Sequence, residues 1–205
     1  MLLFVKQLYA IIIFVLLFSS WLIENVLCYE QVFSCDFETG SNCTFKQWYY
    51  PSDNFDWTQW QGSTGGAYSG PSSDHTYGNI SGNYMYTQSN ADKRGENAIL
   101  QIGEKLKLSA GRGVLRFYYH MEDRDGPDSL GDLKVYGCYQ GGRNIGEPMW
   151  TRSKSQGDKW LMAEIVYECR GEFQVLFEGI RGTRDSDIAI DDILLLDLSI
   201  DGRYI

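Results

Sequence analysis

Asp74, His75 and Thr76 stand side by side in the stretch GPSSDHTYGNISGNYMY, residues 70–86. Acid, imidazole and hydroxyl are the groups of a hydrolytic triad, in which the imidazole takes the hydroxyl proton and the acid orients the imidazole. Such a triad is assembled from residues brought together in space, whereas three consecutive side chains in a strand or turn point in different directions. The chain has only two His, and it contains neither GxSxG nor HExxH. Glu122, Asp123 and Asp125 offer a second chemistry, the paired carboxylates of a glycosidase on a jelly roll. They flank Gly126-Pro127, which reads as a solvated loop tip. The residues therefore predict a scaffold without a catalytic centre. Asp74 is expected to accept backbone N–H bonds after the Gly70-Pro71 turn, and His75 and Thr76 to bridge strands.

The elements that would hold these residues are strands. GVLRFYYHM alternates, with Leu115, Phe117, Tyr119 and Met121 on one face and Arg116, Tyr118 and His120 on the other. DLKVYG places Leu133 and Val135 on one face, and KWLMAEIVYE and EFQVLFEGI are rich in β-formers. In DIAIDDILLLDL, Ile188, Ile190, Asp192 and Leu194 fall in step, so period two buries Asp192 and turns Asp191 away. A lone buried carboxylate is costly without a partner. No segment carries a helical apolar stripe over ten residues, and residues 48–82 are punctuated by Gly, Pro and Asn. These patterns predict an all-β, antiparallel two-sheet sandwich, jelly-roll-like, with long ordered loops. One domain, residues 29–200, uses nearly all of the chain, and residues 201–205 form a short tail.

The first 28 residues differ. A single Lys precedes a nearly continuous apolar run, and Val26 and Cys28 occupy the −3 and −1 places of a cleavage site. This reads as a secretory signal peptide, residues 1–28, with an uncleaved anchor through residues 8–23 as the alternative. The expected location is extracellular, or membrane-tethered by that segment. Four cysteines then remain, Cys35, Cys43, Cys138 and Cys169. An even number in a secreted chain implies two disulfides, with three pairings open. Cys35–Cys43 is the local choice and Cys138–Cys169 its complement. Without a CxxC spacing and in an oxidising compartment, zinc is a poor use of these thiols. Asn42 and Asn79 each head an Asn-x-Ser/Thr sequon in turn-rich sequence, so both are candidate glycan sites. The Asn42 sequon holds Cys43 in its middle, which favours Asn79. A net charge of −9 argues against a nucleic-acid partner, because an acidic surface repels phosphates.

Along the mature chain the pieces CDFETGSNCTFKQ (35–47), NFDWTQW (54–60), GPSSDHTYGNISGNYMY (70–86), LRFYYHM (115–121), QGDKWLMAEI (156–165), FQVLFEGIRG (173–182) and DIAIDDI (187–193) occur in order. Together they resemble the MAM domain, an extracellular β-sandwich module of adhesion receptors, receptor phosphatases and metalloprotease ectodomains, over about Phe33 to Leu196. The resemblance implies a non-enzymatic adhesion module that binds an extracellular or cell-surface protein, or a second copy of itself. A secreted glycan-binding jelly roll is the alternative. The family usually carries a cysteine just before the LRFYYHM-like strand and another after the DDI motif. Val114 stands at the first place and no cysteine follows the second, so only Cys35–Cys43 carries over as a family bridge. The resemblance also implies one structural Ca²⁺ or Na⁺, held by Glu38, Asp74 and one of Asp191 or Asp192. Arg181 or Arg184 could neutralise those carboxylates instead. Trp57, Trp150 and Trp160 fall at family aromatic positions and are expected in the core, while Trp48 and Trp60 are open.

Overall fold

The structure, a computed structural model, describes residues 27–49, 51–65, 69–123, 130–142, 144–182 and 186–200. The expected signal peptide up to residue 26, the tail 201–205, Arg184 and the Asp125–Pro127 tip lie outside the described residues. Among the described residues no helix is long and apolar enough to cross a membrane.

Eleven strands follow one another: β1 (Leu27–Cys35), β2 (Phe45–Gln47), β3 (Thr58–Gln61), β4 (Asn83–Thr87), β5 (Asn97–Leu106), β6 (Arg112–Met121), β7 (Asp132–Tyr139), β8 (Trp150–Ser153), β9 (Gly157–Glu168), β10 (Phe173–Ile180) and β11 (Ile188–Ile200). They form two antiparallel sheets. One has the order β3-β4-β11-β6-β9, with β1 also paired to β11; the other has the order β2-β5-β10-β7-β8. The predicted sandwich is therefore what forms.

Period-two patterning explains the core. On β6, Leu115, Phe117, Tyr119 and Met121 all face the space between the sheets. Leu133 and Val135 of β7 and Val175 and Phe177 of β10 meet them from the other layer. Phe117 is fully buried and meets Phe177 and Trp150 edge-on, at centroid distances of 5.0 and 5.2 Å. Such pairs add about 0.5–1.5 kcal/mol beyond their buried area. Both expected disulfides form. Cys35–Cys43 closes the chain after β1, and Cys138–Cys169 ties the end of β7 to the segment after β9, with Cα separations of 4.8 and 5.6 Å.

The longest strand, β11, has to serve two neighbours on one edge. Strand β6 runs along one side from Ile188 to Asp197. On the other side β4 takes Ile188–Ile190 and β1 takes Ile193–Ile200. The hand-over falls at Asp191–Asp192, where the register with β6 shifts and Asp192 adopts φ +46°. This bulge corrects the simple alternation. Ile188, Ile190, Ile193 and Leu195 face the core, Asp191 is completely buried, and Asp192 is only half-buried. One extra residue in the strand reverses the faces that strict alternation assigns.

Candidate functional site

Residues 69–82 lie over the outward face of β4, β11 and β6, and the opening Asp-His-Thr stretch sits in that loop. Its three side chains do not act on one another. Asp74 accepts the amides of Tyr77 at 2.6 Å and Asn79 at 3.0 Å, which curls the loop around a carboxylate that is 1 % exposed. A Cβ on Gly82 would lie 2.1 Å from that carboxyl group, so only glycine permits the approach. His75 instead reaches across the chain to β11. Its Nδ1 lies 2.5 Å from Asp192 Oδ2, and its amide donates to Asp191 Oδ2 at 2.8 Å. The Thr76 hydroxyl donates to the other oxygen of Asp192 at 2.8 Å. The imidazole stacks on Tyr118 of β6, with centroids 3.4 Å apart. Trp160 of β9 completes the clamp by donating its indole N–H to the Ser73 carbonyl at 3.0 Å.

Asp191 is the buried carboxyl of this arrangement. Burial pushes its carboxyl up to about 8; the His75 amide works in the opposite direction, and the Asp192 charge adds to the rise. The same device recurs elsewhere on the sandwich. Asp53 accepts the amide of Ile99, Asp187 that of Ser89 and Asp197 that of Ser109. A sizeable part of the acidic composition is thus spent inside, as acceptors that pin loops to sheets. What the clamp can do chemically is hold a loop: the hydroxyl and the imidazole both point at Asp192 and not at each other, so no hydroxyl is poised against a base.

The four carboxylates suggested for a cation are placed as follows. Asp191 and Asp192 adjoin at the bulge, the latter's amide donating to the former. Glu38 lies at the start of β4, where its two oxygens accept the amide and the side-chain nitrogen of Asn83 at 2.7 and 2.9 Å. Asp74 is the hub of its loop. Among the described residues, the group of three acidic, His or Cys side chains whose ligand atoms fall within 4.8 Å of one another is a different one, His120, Glu122 and Asp158. A hard cation needs six to eight oxygens about one point. The oxygens of Glu38, Asp74, Asp191 and Asp192 receive N–H and O–H donors from the protein. Arg181 is not their counter-ion. It lies over the Phe55 ring, 3.4 Å from its centroid, and its Nη1 pairs with Glu96 at 2.7 Å.

Two expectations need correction, and one cluster was not foreseen. Glu122 and Asp123 are each only 7 % exposed, so they are not part of a solvated tip. The Asp123 amide instead donates to the Ser155 hydroxyl oxygen at 3.0 Å, just before strand β9. Trp57 is core, with its indole donating to the Ala98 carbonyl, and Trp150 packs on the core, but Trp160 does not. It sits half-buried on the outward face with Tyr84, Tyr86 and Ala189. The His120 cluster was missed because His120 and Glu122, at and just after the end of β6, meet Asp158 of β9, which lies 38 residues from His120. Burial lowers the His120 pKa below the usual value, against the opposing pull of Asp158, 3.1 Å from Nε2. The sequons are both exposed: Asn42 within the Cys35–Cys43 loop and Asn79 at the tip of the 69–82 loop.

The chain is similar in sequence to several longer proteins. Thyroid hormone-induced protein B of Xenopus laevis is 38% identical over 161 residues, which cover 78% of this chain and 22% of that protein. Human MAM domain-containing protein 2 is 36% identical over 160 residues, covering 78% and 22%. Mouse MAM domain-containing glycosylphosphatidylinositol anchor protein 2 is 34% identical over 182 residues, covering 82% and 18%. The chain thus spans about a fifth of the length of these relatives. Among solved structures, the K1 cleaved adhesin domain of Lys-gingipain from Porphyromonas gingivalis W83 superimposes with a TM-score of 0.57 at 16% identity, covering 83% of this chain and 98% of that one, which shows a shared fold. The MAM domain family, meprin/A5/mu, matches residues 35–199, and the chain belongs to that extracellular, adhesion-type family.

Proposed function

We propose that this domain works as an extracellular recognition module that docks a cell-surface or matrix protein, or a second copy of itself, through the outward face of β9. The carrying observation is the character of that strand. β9 pairs only with β6 among the described residues, which leaves it an edge. Met162 and Val166, four residues apart and on one face, are 54 % and 53 % exposed. Between them Glu164 pairs with Arg116 of β6 at 2.5 Å. Paired apolar side chains beside a charged rim, on an unpaired strand edge, are the ingredients of edge-to-edge or face-to-face docking.

A sugar-binding reading draws less support. Its aromatic platform would be the outward face of the five-stranded sheet, and there Ile99, Tyr136 and Leu176 are buried beneath Trp48, Tyr139 and Ile145. The test is a Met162→Lys/Val166→Lys variant, measured for self-association by light scattering and for binding to cells and immobilised matrix. The expected result is a loss of binding of at least about tenfold, as for a central interface contact, with the melting temperature unchanged. Full binding by the variant, or binding to a glycan array alone, overturns the proposal.

A further inference from the structure

We infer that Asn79 carries an N-linked glycan and that Tyr77 is its built-in platform, the phenol ring stacking on the first N-acetylglucosamine. The inference rests on the extracellular reading but not on the β9 interface.

The local geometry is that of a held turn with an outward amide. Asp74 takes the amides of Tyr77 and Asn79, and its own amide donates to the Asn79 carbonyl at 3.4 Å, so residues 74–79 close on one buried carboxylate. Gly78, between the two residues at issue, has φ +65°, the left-handed bend that reverses the chain there. Within the sequon, Asn79 Oδ1 receives both the Ser81 amide at 2.8 Å and the Ser81 hydroxyl at 2.6 Å. The carboxamide nitrogen makes no hydrogen bond to the described residues and is free to be substituted.

What calls for a partner is the surface beside it. Tyr77 is 61 % exposed and Ile80 is 76 % exposed, an aromatic and an aliphatic side chain left in water on either side of Asn79. A sugar presents a flat C–H face that an aromatic ring can cover, and a tyrosine two positions earlier across a tight turn is within reach of the first residue of the glycan. Asn42 is the internal contrast: Gly40 stands two positions before it, and no ring is there to stack.

In the modification the Asn79 carboxamide nitrogen attacks the anomeric carbon of an N-acetylglucosamine-headed oligosaccharide carried on a polyprenyl diphosphate. The N–C1 bond forms as the bond from C1 to the diphosphate oxygen breaks. The polyprenyl diphosphate leaves, and the amide loses one proton.

The test uses the full chain secreted from a eukaryotic host, with the sugar trimmed to one N-acetylglucosamine. Peptide mass should place that sugar on Asn79. Four proteins then form a cycle: wild type, Tyr77→Ala, Asn79→Gln and the double variant. The sugar should raise the melting temperature by about 2–4 °C when Tyr77 is present and by nothing measurable when it is Ala. The N-acetyl methyl resonance should move upfield over the ring in wild type alone. A secreted, disulfide-bonded protein with Asn79 unmodified overturns the site. An occupied site with equal thermal gain and equal methyl shift in both backgrounds overturns the platform. A chain retained inside the cell with free thiols would instead overturn the extracellular reading, which separates the two failures.

Discussion

The space between the two sheets and the layer outside the six-stranded sheet are both buried, but they are specified in opposite ways. Inside, burial is shared among many apolar side chains in step along β6, β7, β10 and β11, and no single one names its partner. Outside, residues 69–82 lie down because individual acceptors hold individual amides: Asp74 holds Tyr77 and Asn79, Asp191 holds His75, and Asp192 takes the His75 ring and the Thr76 hydroxyl. Hydrophobic burial is non-directional and tolerates exchange of shape for shape, whereas a buried carboxylate is directional and fails all at once when its donors are lost. The inner layer should therefore control global stability and the outer layer local order.

The sharpest way to break that contrast is to hollow the core. Phe117→Ala removes a fully buried ring that touches Phe177 and Trp150. The expected cost is about 3–5 kcal/mol in denaturant unfolding, with hydrogen exchange accelerated in both sheets. Asp74→Ala is the matched cut in the outer layer. It strands two amides that the carboxylate now accepts, at a cost of about 2 kcal/mol. Exchange should rise at Tyr77 and Asn79 while the β6–β11 amides stay protected. Equal acceleration everywhere would mean that the two layers form one cooperative unit.

The same contrast explains what could be read in advance. The faces of β6 and β7 were legible because period two needs only residue type: LRFYYHM sorts Leu115, Phe117, Tyr119 and Met121 inward, and they are inward. The partner of His75 was not legible. Asp192 lies 117 residues away, and its position depends on a bulge that no composition marks. Asp192 takes a positive φ that an aspartate tolerates better than most residues do, while Asp191 is buried because the 69–82 loop lies over it. Glu122 and Asp123 misled for a related reason. Acidic residues beside Gly-Pro normally face water, but these two are covered, with Ser155 just before β9 meeting the Asp123 amide. Arg181 could be paired on paper with any acid; the end of β10 delivers it to Glu96 and Phe55.

Titration sharpens the comparison, because the outer layer holds a buried carboxyl, Asp191, beside a second acid, Asp192. Asp191 has its pKa raised from 3.8 to about 8. A group with a raised folded value binds more protons in the native state than in the unfolded one, so its contribution to stability falls as pH rises between those two values. Melting temperature should therefore drop from pH 5 toward pH 8 and level off above. Asp191→Asn keeps one acceptor oxygen but cannot ionise. It should start from a lower baseline and lose most of that slope, measured by thermal melts in matched buffers. An unchanged slope would show that Asp191 does not carry the pH dependence.

Calcium is the smallest expected effect and the finest test of how the outer layer is held. A cation bound only by the native state would raise the melting temperature with concentration. Glu38 is occupied by Asn83, Asp74 by Tyr77 and Asn79, and Asp192 by His75 and Thr76, so these oxygens point at donors on different strands and loops. If those hydrogen bonds carry the loop, millimolar Ca²⁺ or a chelator should leave both the melting temperature and the exchange rates at Tyr77 and Asn79 unmoved. A chelator-sensitive melt abolished by Asp74→Ala would show that an ion draws these carboxylates together. The outer layer would then be ordered by coordination, with the protein donors only orienting the carboxylates around the ion.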